Sequence, residues 1–365
     1  MEKKKVVTIL GTRPEIIKLS PVLSKFDREF NHIIIHTGQH YDHNMDSIFF
    51  DELRLRQPDY NFNIGSGSHA HQTAIAMIKL EQVLKDVKPD LVVTFADPNA
   101  PLVGSIVASK MNIPLVHMEA GCRSFNKKMP EEINRIIADH CSDLHLAPDA
   151  VAVNNLAKEN IIDSVKLVGS SGIEPSLRNR EFAKNSDIVK LTGVSPEKYI
   201  LATIHRAENT NDTNRLASLM QALNNIAEKT VVVFPMHPRT KKILKQSNIQ
   251  LSEHIKVIEP VGYLDFLSLI DNSLFVMTDS GGIQEEAPAL GKFCLVLRNE
   301  TEWTYLTDAG KNILATVDGD KITSIATNLL ENPEEIQRMR QIEIKQDINV
   351  SDNVVREIKT FFGEK

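Results

Sequence analysis

Acidic side chains stand directly behind short apolar runs at three places in the first half of the chain. Asp97 follows the run ending at Phe95 in FADPNA, Glu119 opens a Glu-Ala-Gly tripeptide, and Glu131 and Glu132 follow Pro130 in PEEINR. Two of these have an ordinary explanation. Asp97, with Pro98 behind it, suits a helix N-cap. Acids in the first turn of a helix complement its dipole, and one of Glu131 and Glu132 is expected to do only that. Arg135, one turn along, can pair with either. Glu119 is harder to explain, because a carboxylate in apolar surroundings is costly unless it is paired or used. Neighbouring carboxylates raise one another's pKa, so one can hold a proton while another serves as a base. No histidine or further acid completes a metal-ligand set around Asp97, Glu119 and Glu131. Acid–base chemistry is therefore the expected use, with no metal.

Other segments suit an anion. GTRPEIIK, Gly11–Lys18, places a glycine and Pro14 at a helix start beside Arg13 and Lys18. Free N–H groups and positive charge there suit a phosphate, although exposed basic residues on an ordinary turn are the alternative. The segment is neither a dinucleotide fingerprint nor a P-loop. In TIHRAEN, His205 and Arg206 follow an apolar run, so His205 can bind phosphate or move a proton. PMHPRT carries a second pair, His237 and Arg239. The most specific segment is TDSGGIQEEAPALGK, Thr278–Lys292, in which Ser280, Gly281 and Gly282 lead into a helix carrying Glu285 and Glu286. Glycines let the backbone approach a diphosphate, and a carboxylate one turn on can accept both hydroxyls of a ribose.

These residues need a frame that collects the ends of apolar runs on one edge. Runs at Lys5–Leu10, His32–Thr37, Leu91–Phe95, Leu115–Glu119, Leu144–Ala147 and Ser164–Val168 read as buried strands. Longer amphipathic segments alternate with them: Pro14–Phe26, Met45–Leu53, Ala70–Lys85, Ala100–Met111, Glu132–Ile137 and Ala150–Glu159. The pattern restarts, with strands expected at Tyr199–Thr203, Thr230–Pro235, Ile255–Ile258, Leu274–Thr278, Phe293–Leu297 and Ile313–Thr316. The expected fold is α/β, with two Rossmann-like parallel-sheet domains facing a central cleft that holds the ligand. The domains are expected at residues 1–170 and 171–348, with a helix over 349–365 packing back on the first. The boundary is placed in Gly169–Asp187, which lacks a strong period.

Composition narrows the class. The chain has 365 residues, a formal charge of -6 and interspersed signs, which argues against a nucleic-acid surface. No stretch approaches the ~20 apolar residues of a membrane span. MEKKKVV is expected to begin the first strand rather than a leader. Three scattered cysteines, Cys122, Cys141 and Cys294, suit reduced thiols in a cytoplasm.

Together the segments resemble the non-hydrolysing UDP-N-acetylglucosamine 2-epimerases, in order along nearly the whole chain: GTRPEIIK, the Asp97 loop, EAG, PEEINR, HRAEN, HPRT, VGYLDF and TDSGGIQEEAP. The resemblance implies the two-domain fold of B-type glycosyltransferases and a homodimer. It implies interconversion of UDP-GlcNAc and UDP-ManNAc through elimination of UDP to a 2-acetamidoglucal and re-addition, with no cofactor. It matches Asp97, Glu119 and Glu131 to the catalytic acids and His205 to a catalytic histidine near the diphosphate. Arg13, Lys18, Ser280, Gly281, Gly282 and Glu286 match nucleotide-binding positions, Val261 and Phe266 the loop cradling the uracil, and Arg135 is taken as substrate-binding. The chain departs from the family at Ala96-Asp97-Pro98-Asn99, at Gly169-Ser170-Ser171-Gly172 where the family shows Gly-Asn, and at Trp303 in place of an arginine. These loops would surround the sugar, so UDP-2,3-diacetamido-2,3-dideoxy-glucuronate is the alternative substrate. A hydrolysing epimerase and a glycosyltransferase are the alternatives on the same fold.

Overall fold

A computed structural model describes residues 3–38, 49–65, 67–247, 249–344 and 347–364, apart from the side chain of Arg239. The chain forms two compact units, Met1–Pro175 with Gln346–Lys365, and Ser176–Lys345.

The first unit is built on strands β1 (Lys5–Leu10), β2 (Asn31–His36), β3 (Tyr60–Asn61), β4 (Leu91–Phe95), β5 (Leu115–Met118), β6 (Leu144–Ala147) and β7 (Val165–Leu167). They lie in the order β3-β2-β1-β4-β5-β6-β7, and every pairing is parallel. Val6–Leu10 of β1 and all of β4 and β5 are buried, as expected of strands covered on both faces. Helix Arg13–Glu29 follows β1, Asn99–Lys110 follows β4, and Pro130–Cys141 lies between β5 and β6. The last helix, Val350–Phe361, belongs to this unit. It buries Val350, Val354, Val355 and Ile358, and Lys359 pairs with Glu29 at 2.6 Å.

The second unit repeats the plan with β8 (Tyr199–Thr203), β9 (Val231–Pro235), β10 (Ile255–Ile258), β11 (Val276–Thr278), β12 (Cys294–Val296) and β13 (Ile313–Leu314). The order is β10-β9-β8-β11-β12-β13, again parallel throughout. Its helices have clear starts. Asp212 caps Thr213–Ala227 by accepting the N–H of Asn214 and Arg215, and Asp318 caps Gly319–Glu331 in the same way. One apolar core joins the sheet to these two helices, with Phe275 and Phe293 stacked 5.2 Å apart.

The structure adds detail to several expectations. The segment Gly169–Asp187 is largely helical, at Ile173–Ala183, and the division between units falls within that helix, between Pro175 and Ser176. Its most buried positions include Ser176 and Asn179, so no apolar stripe marks it in the sequence. Helix Pro333–Gln341 also escapes notice, because only Ile336 and Met339 of its nine residues are buried. Of the helix expected at Met45–Leu53, residues 45–48 lie outside the described residues, and 49–52 are helical.

Candidate active site

Each sheet changes its direction of winding at one point: between β1 and β4 in the first unit, and between β8 and β11 in the second. Crevices at the carboxyl ends of such strand pairs are where doubly wound sheets take ligands. The charged segments sit there. Gly11–Lys18 follows β1, Asp97 follows β4 and Glu119 follows β5, while His205 follows β8 and Asp279–Gly282 follow β11.

Register explains why Asp97 and Glu119 meet. Phe95 of β4 pairs with Met118 of β5, and the N–H of Ala96 donates to the Met118 carbonyl at 3.0 Å. Both strands then turn through left-handed residues, Ala96 at φ 58° and Glu119 at φ 60°. Such a conformation costs a non-glycine residue about 1 kcal/mol or more, so the neighbourhood must hold it. Glu119 receives two hydrogen bonds on one oxygen: Lys18 Nζ donates to Oε1 at 2.8 Å and the Ser171 hydroxyl at 2.6 Å. Burial works to raise this carboxyl, but the charge and hydrogen bond of Lys18, with the Ser171 hydroxyl, outweigh it and hold Glu119 below the usual range. Asp97 moves the other way. Burial raises it, and the negative charge of Glu119 adds to that, against the pull of Arg135. Two neighbouring carboxylates with opposite shifts are an arrangement for passing a proton.

Arg135, expected to bind substrate, is held by two carboxylates. Its Nε donates to Asp97 Oδ2 at 2.9 Å, Nη2 bonds the same oxygen, and Nη1 donates to Glu132 at 2.8 Å. Its guanidinium is occupied with carboxylates, so it orients Asp97. Of the acid pair after Pro130, Glu131 is half-buried at the helix start and Glu132 is buried. Glu132 accepts the N–H of Ser124 and of Phe125, each at 2.8 Å, and so clamps the loop between Glu119 and its own helix. Dipole placement is therefore a minor part of what Glu132 does.

The Gly11–Lys18 turn differs from a bare anion cradle. Thr12 and Glu15 form a capping box, in which Glu15 Oε2 accepts the N–H of Gly11 at 2.9 Å and of Thr12 at 2.8 Å. Those donors are taken. Gly11 is not needed for a positive φ; a Cβ there would lie 2.1 Å from Thr37 Oγ1. Arg13 lies with its guanidinium 4.3 Å from the Phe49 ring centre, and Lys18 is on Glu119.

In the second unit Thr203 pairs in register with Thr278, and their hydroxyls bond at 2.7 Å. Buried Asp279 therefore faces the turn after β8. It accepts the N–H of Arg206 at 2.9 Å and the Asn209 amide at 3.0 Å, and lies 3.2 Å from His205 Nδ1. Burial raises the Asp279 carboxyl, but His205 and these donors bring it below its ordinary value. Asp279 thus aims the imidazole, whose side chain is 44% exposed and free to reach a ligand. Gly281 is buried, and a Cβ on it would lie 2.5 Å from Glu302 Oε1, whereas a Cβ on Gly282 meets nothing within 4 Å among the described residues. Trp303 donates from its indole N–H to the Gly281 carbonyl at 2.9 Å, and Arg298 holds Glu302 at 2.8 Å. Ser280 and Glu286 are half-buried on either side of the two glycines, and Val261 and Phe266 are half-buried around the start of helix Tyr263–Asp271.

Three side chains that hold the site were not singled out from the sequence. Glu15 had a signal, the Thr-x-x-Glu spacing of a capping box. Asp279 was visible only as a member of a quoted segment, and the part played by Ser171 depends on a fold contact across 52 residues. Among the described residues, no group of three or more His, Cys, Asp or Glu side chains is arranged to hold a metal ion.

The calicheamicin glycosyltransferase CalG4 superposes on all of the chain with a TM-score of 0.56 at 12% identity and so shares the fold alone. The chain belongs to the UDP-N-acetylglucosamine 2-epimerase family, whose model matches residues 24–359. It is 45% identical to the UDP-N-acetylglucosamine 2-epimerase of Methanococcus maripaludis, covering 90% of this chain and 92% of that one. It is 40% identical to the UDP-2,3-diacetamido-2,3-dideoxy-D-glucuronate 2-epimerase of Pseudomonas aeruginosa, covering 89% and 92%. The Methanocaldococcus jannaschii UDP-GlcNAc 2-epimerase, solved with UDP-GlcNAc and UDP, superposes with a TM-score of 0.86 at 41% identity, over 98% of this chain and 99% of that one.

Proposed function

We propose that this protein is an isomerase that interconverts UDP-GlcNAc and UDP-ManNAc. The observation that carries the reading is the carboxylate pair at the first switch point, Glu119 hydrogen-bonded by Lys18 and Ser171 and Asp97 by Arg135. One carboxylate takes the C2 proton as the C1–O bond breaks and UDP leaves, giving a 2-acetamidoglucal. UDP then re-adds at C1 while a proton reaches the opposite face of C2. The sequence is redox-neutral and needs no cofactor. The C2 proton is weakly acidic, so a good leaving group and its electrostatic support carry much of the barrier.

The two units divide the work. Asp97, Glu119 and Glu131 of the first handle the proton, with Arg135 orienting Asp97. His205, Ser280, Gly281 and Gly282 of the second take the diphosphate, Glu286 the ribose, and Val261 and Phe266 the uracil. Arg13 completes the charge on the substrate. Support for the second half comes from Gly282, where no neighbour within the described residues would oppose a side chain, so approach by a ligand accounts for the glycine. We further propose a cytoplasmic homodimer that supplies a UDP-sugar for polysaccharide synthesis, in keeping with the family resemblance. No helix among the described residues is long and apolar enough to cross a membrane.

Incubation of the purified protein with UDP-GlcNAc, followed by NMR of the anomeric protons, is expected to show a second UDP-HexNAc and no free sugar. Free sugar with UDP would show a hydrolase, and turnover only with an added acceptor a glycosyltransferase. The 40% identity to the Pseudomonas aeruginosa enzyme favours one second reading, that enzyme's diacetamido glucuronate substrate. Turnover of that sugar alone would establish it.

A further inference from the structure

We infer that Ser171 is a positioning residue for Glu119, its hydroxyl and the Lys18 ammonium together fixing one carboxylate oxygen so that the other is presented to the sugar. The inference rests on the function proposed above. Both donors fall on Oε1, Ser171 at 2.6 Å and Lys18 at 2.8 Å, so Oε2 keeps its lone pairs for a proton. Ser171 is buried, 4% exposed, and cannot exchange this partner for bulk water.

The loop that carries Ser171 is itself held. Gly169 has φ +98°, and a Cβ there would lie 3.0 Å from Val350 Cγ2 and 3.2 Å from the Asp347 carbonyl, so only glycine fits against the returning C-terminal segment. Asn353 of helix Val350–Phe361 donates to the Val168 carbonyl at 3.0 Å, and the Val168 N–H donates to Ala147 at 3.0 Å. The chain's last helix therefore pins the loop that aims Ser171, and Ser171 aims Glu119. This is also a segment where the sequence departs from the Gly-Asn of its family. The charged and titratable groups facing Glu119 are Lys18 from helix Arg13–Glu29, Asp97 after β4, His117 on β5 and Cys122 in the following loop. Of the groups that act to hold Glu119 ionised, Lys18, Ser171 and His117, Ser171 alone does not titrate, so replacing it leaves the local charge unchanged.

The test compares wild type with Ser171→Ala and Ser171→Thr. It measures the pH dependence of kcat/KM for C2 exchange of UDP-GlcNAc, and the titration of the Glu119 carboxyl by carbon-13 NMR, assigned with Glu119→Gln. Removing one donor to the charged form is expected to move the titration and the acidic limb of the rate profile up together by about one pH unit, with UDP affinity unchanged. Threonine, which keeps the hydroxyl, is expected to restore both. Should the alanine variant fold poorly, Ser171→Cys, a weak donor of similar size, must move both in the same direction by less. An exchanging wild type whose limb and titration do not respond to the loss of the hydroxyl overturns the inference alone. Absence of exchange in the wild type overturns the functional reading and the inference with it.

Discussion

Glu15 is buried beneath the first switch point, and burial pushes its carboxyl from an ordinary 4.5 up to about 8, against the opposing pull of the Gly11 and Thr12 donors. The folded state therefore binds a proton that the unfolded chain has lost at neutral pH. Stability from this group is complete below about 4.5 and is lost as pH rises through about 8, a change on the order of 5 kcal/mol if the whole shift is realised. Urea unfolding followed by circular dichroism should show stability falling from about pH 5 to about pH 8.5, and Glu15→Gln, which keeps an acceptor for the two N–H groups, should flatten that slope. An equal slope in both proteins would mean that Glu15 ionises freely. At this scale the sequence was legible for residue type and placement at a strand end, as with Asp97, Glu119 and His205. It was not legible for pairing. Nothing local shows that Arg135 turns to Asp97, 38 residues away, or that Glu132 rather than Glu131 points inward.

Turns and helices carry the next level of the argument. Strands were easy to read because a parallel sheet buries both faces, and β4, β6, β8 and β10 begin and end where the apolar runs do. Helices with polar buried faces were not, and Ile173–Ala183 shows the reason. Its buried positions Ser176 and Asn179 give no hydrophobic period even though they lie one turn apart. The two glycines of the Ser280–Gly282 turn, expected to let the backbone approach a ligand, stand in different surroundings. At Gly281 a Cβ would make the Glu302 carboxylate shift, and Gly282 has open space where a Cβ would go and a φ of -62° that any residue tolerates. Gly282→Ala should therefore leave the thermal midpoint unchanged or slightly higher, while UDP affinity measured by calorimetry falls about tenfold, roughly 1.4 kcal/mol. Undiminished UDP affinity would remove the diphosphate from this turn.

The molecule as a whole is one plan used twice, with a six- or seven-stranded parallel sheet in each unit and charged segments behind each switch point. The restart of the strand–helix alternation near Tyr199 made that duplication legible. The exact point of division was not, because a continuous helix crosses it. In the proposed function the duplication separates tasks: the first unit carries the carboxylates and the second the histidine and the glycine turn. Proton transfer at C2 is the claim on which this division depends. It is tested most directly by incubating the protein with UDP-GlcNAc in deuterated water and analysing C2 of both UDP-sugars by NMR and mass spectrometry. The account predicts deuterium at C2 of the product epimer and, as the reaction reverses, of the recovered substrate, with Asp97→Asn abolishing incorporation while still binding UDP. Epimerisation that retains the original hydrogen at C2, or full incorporation by the Asp97→Asn variant, would contradict it.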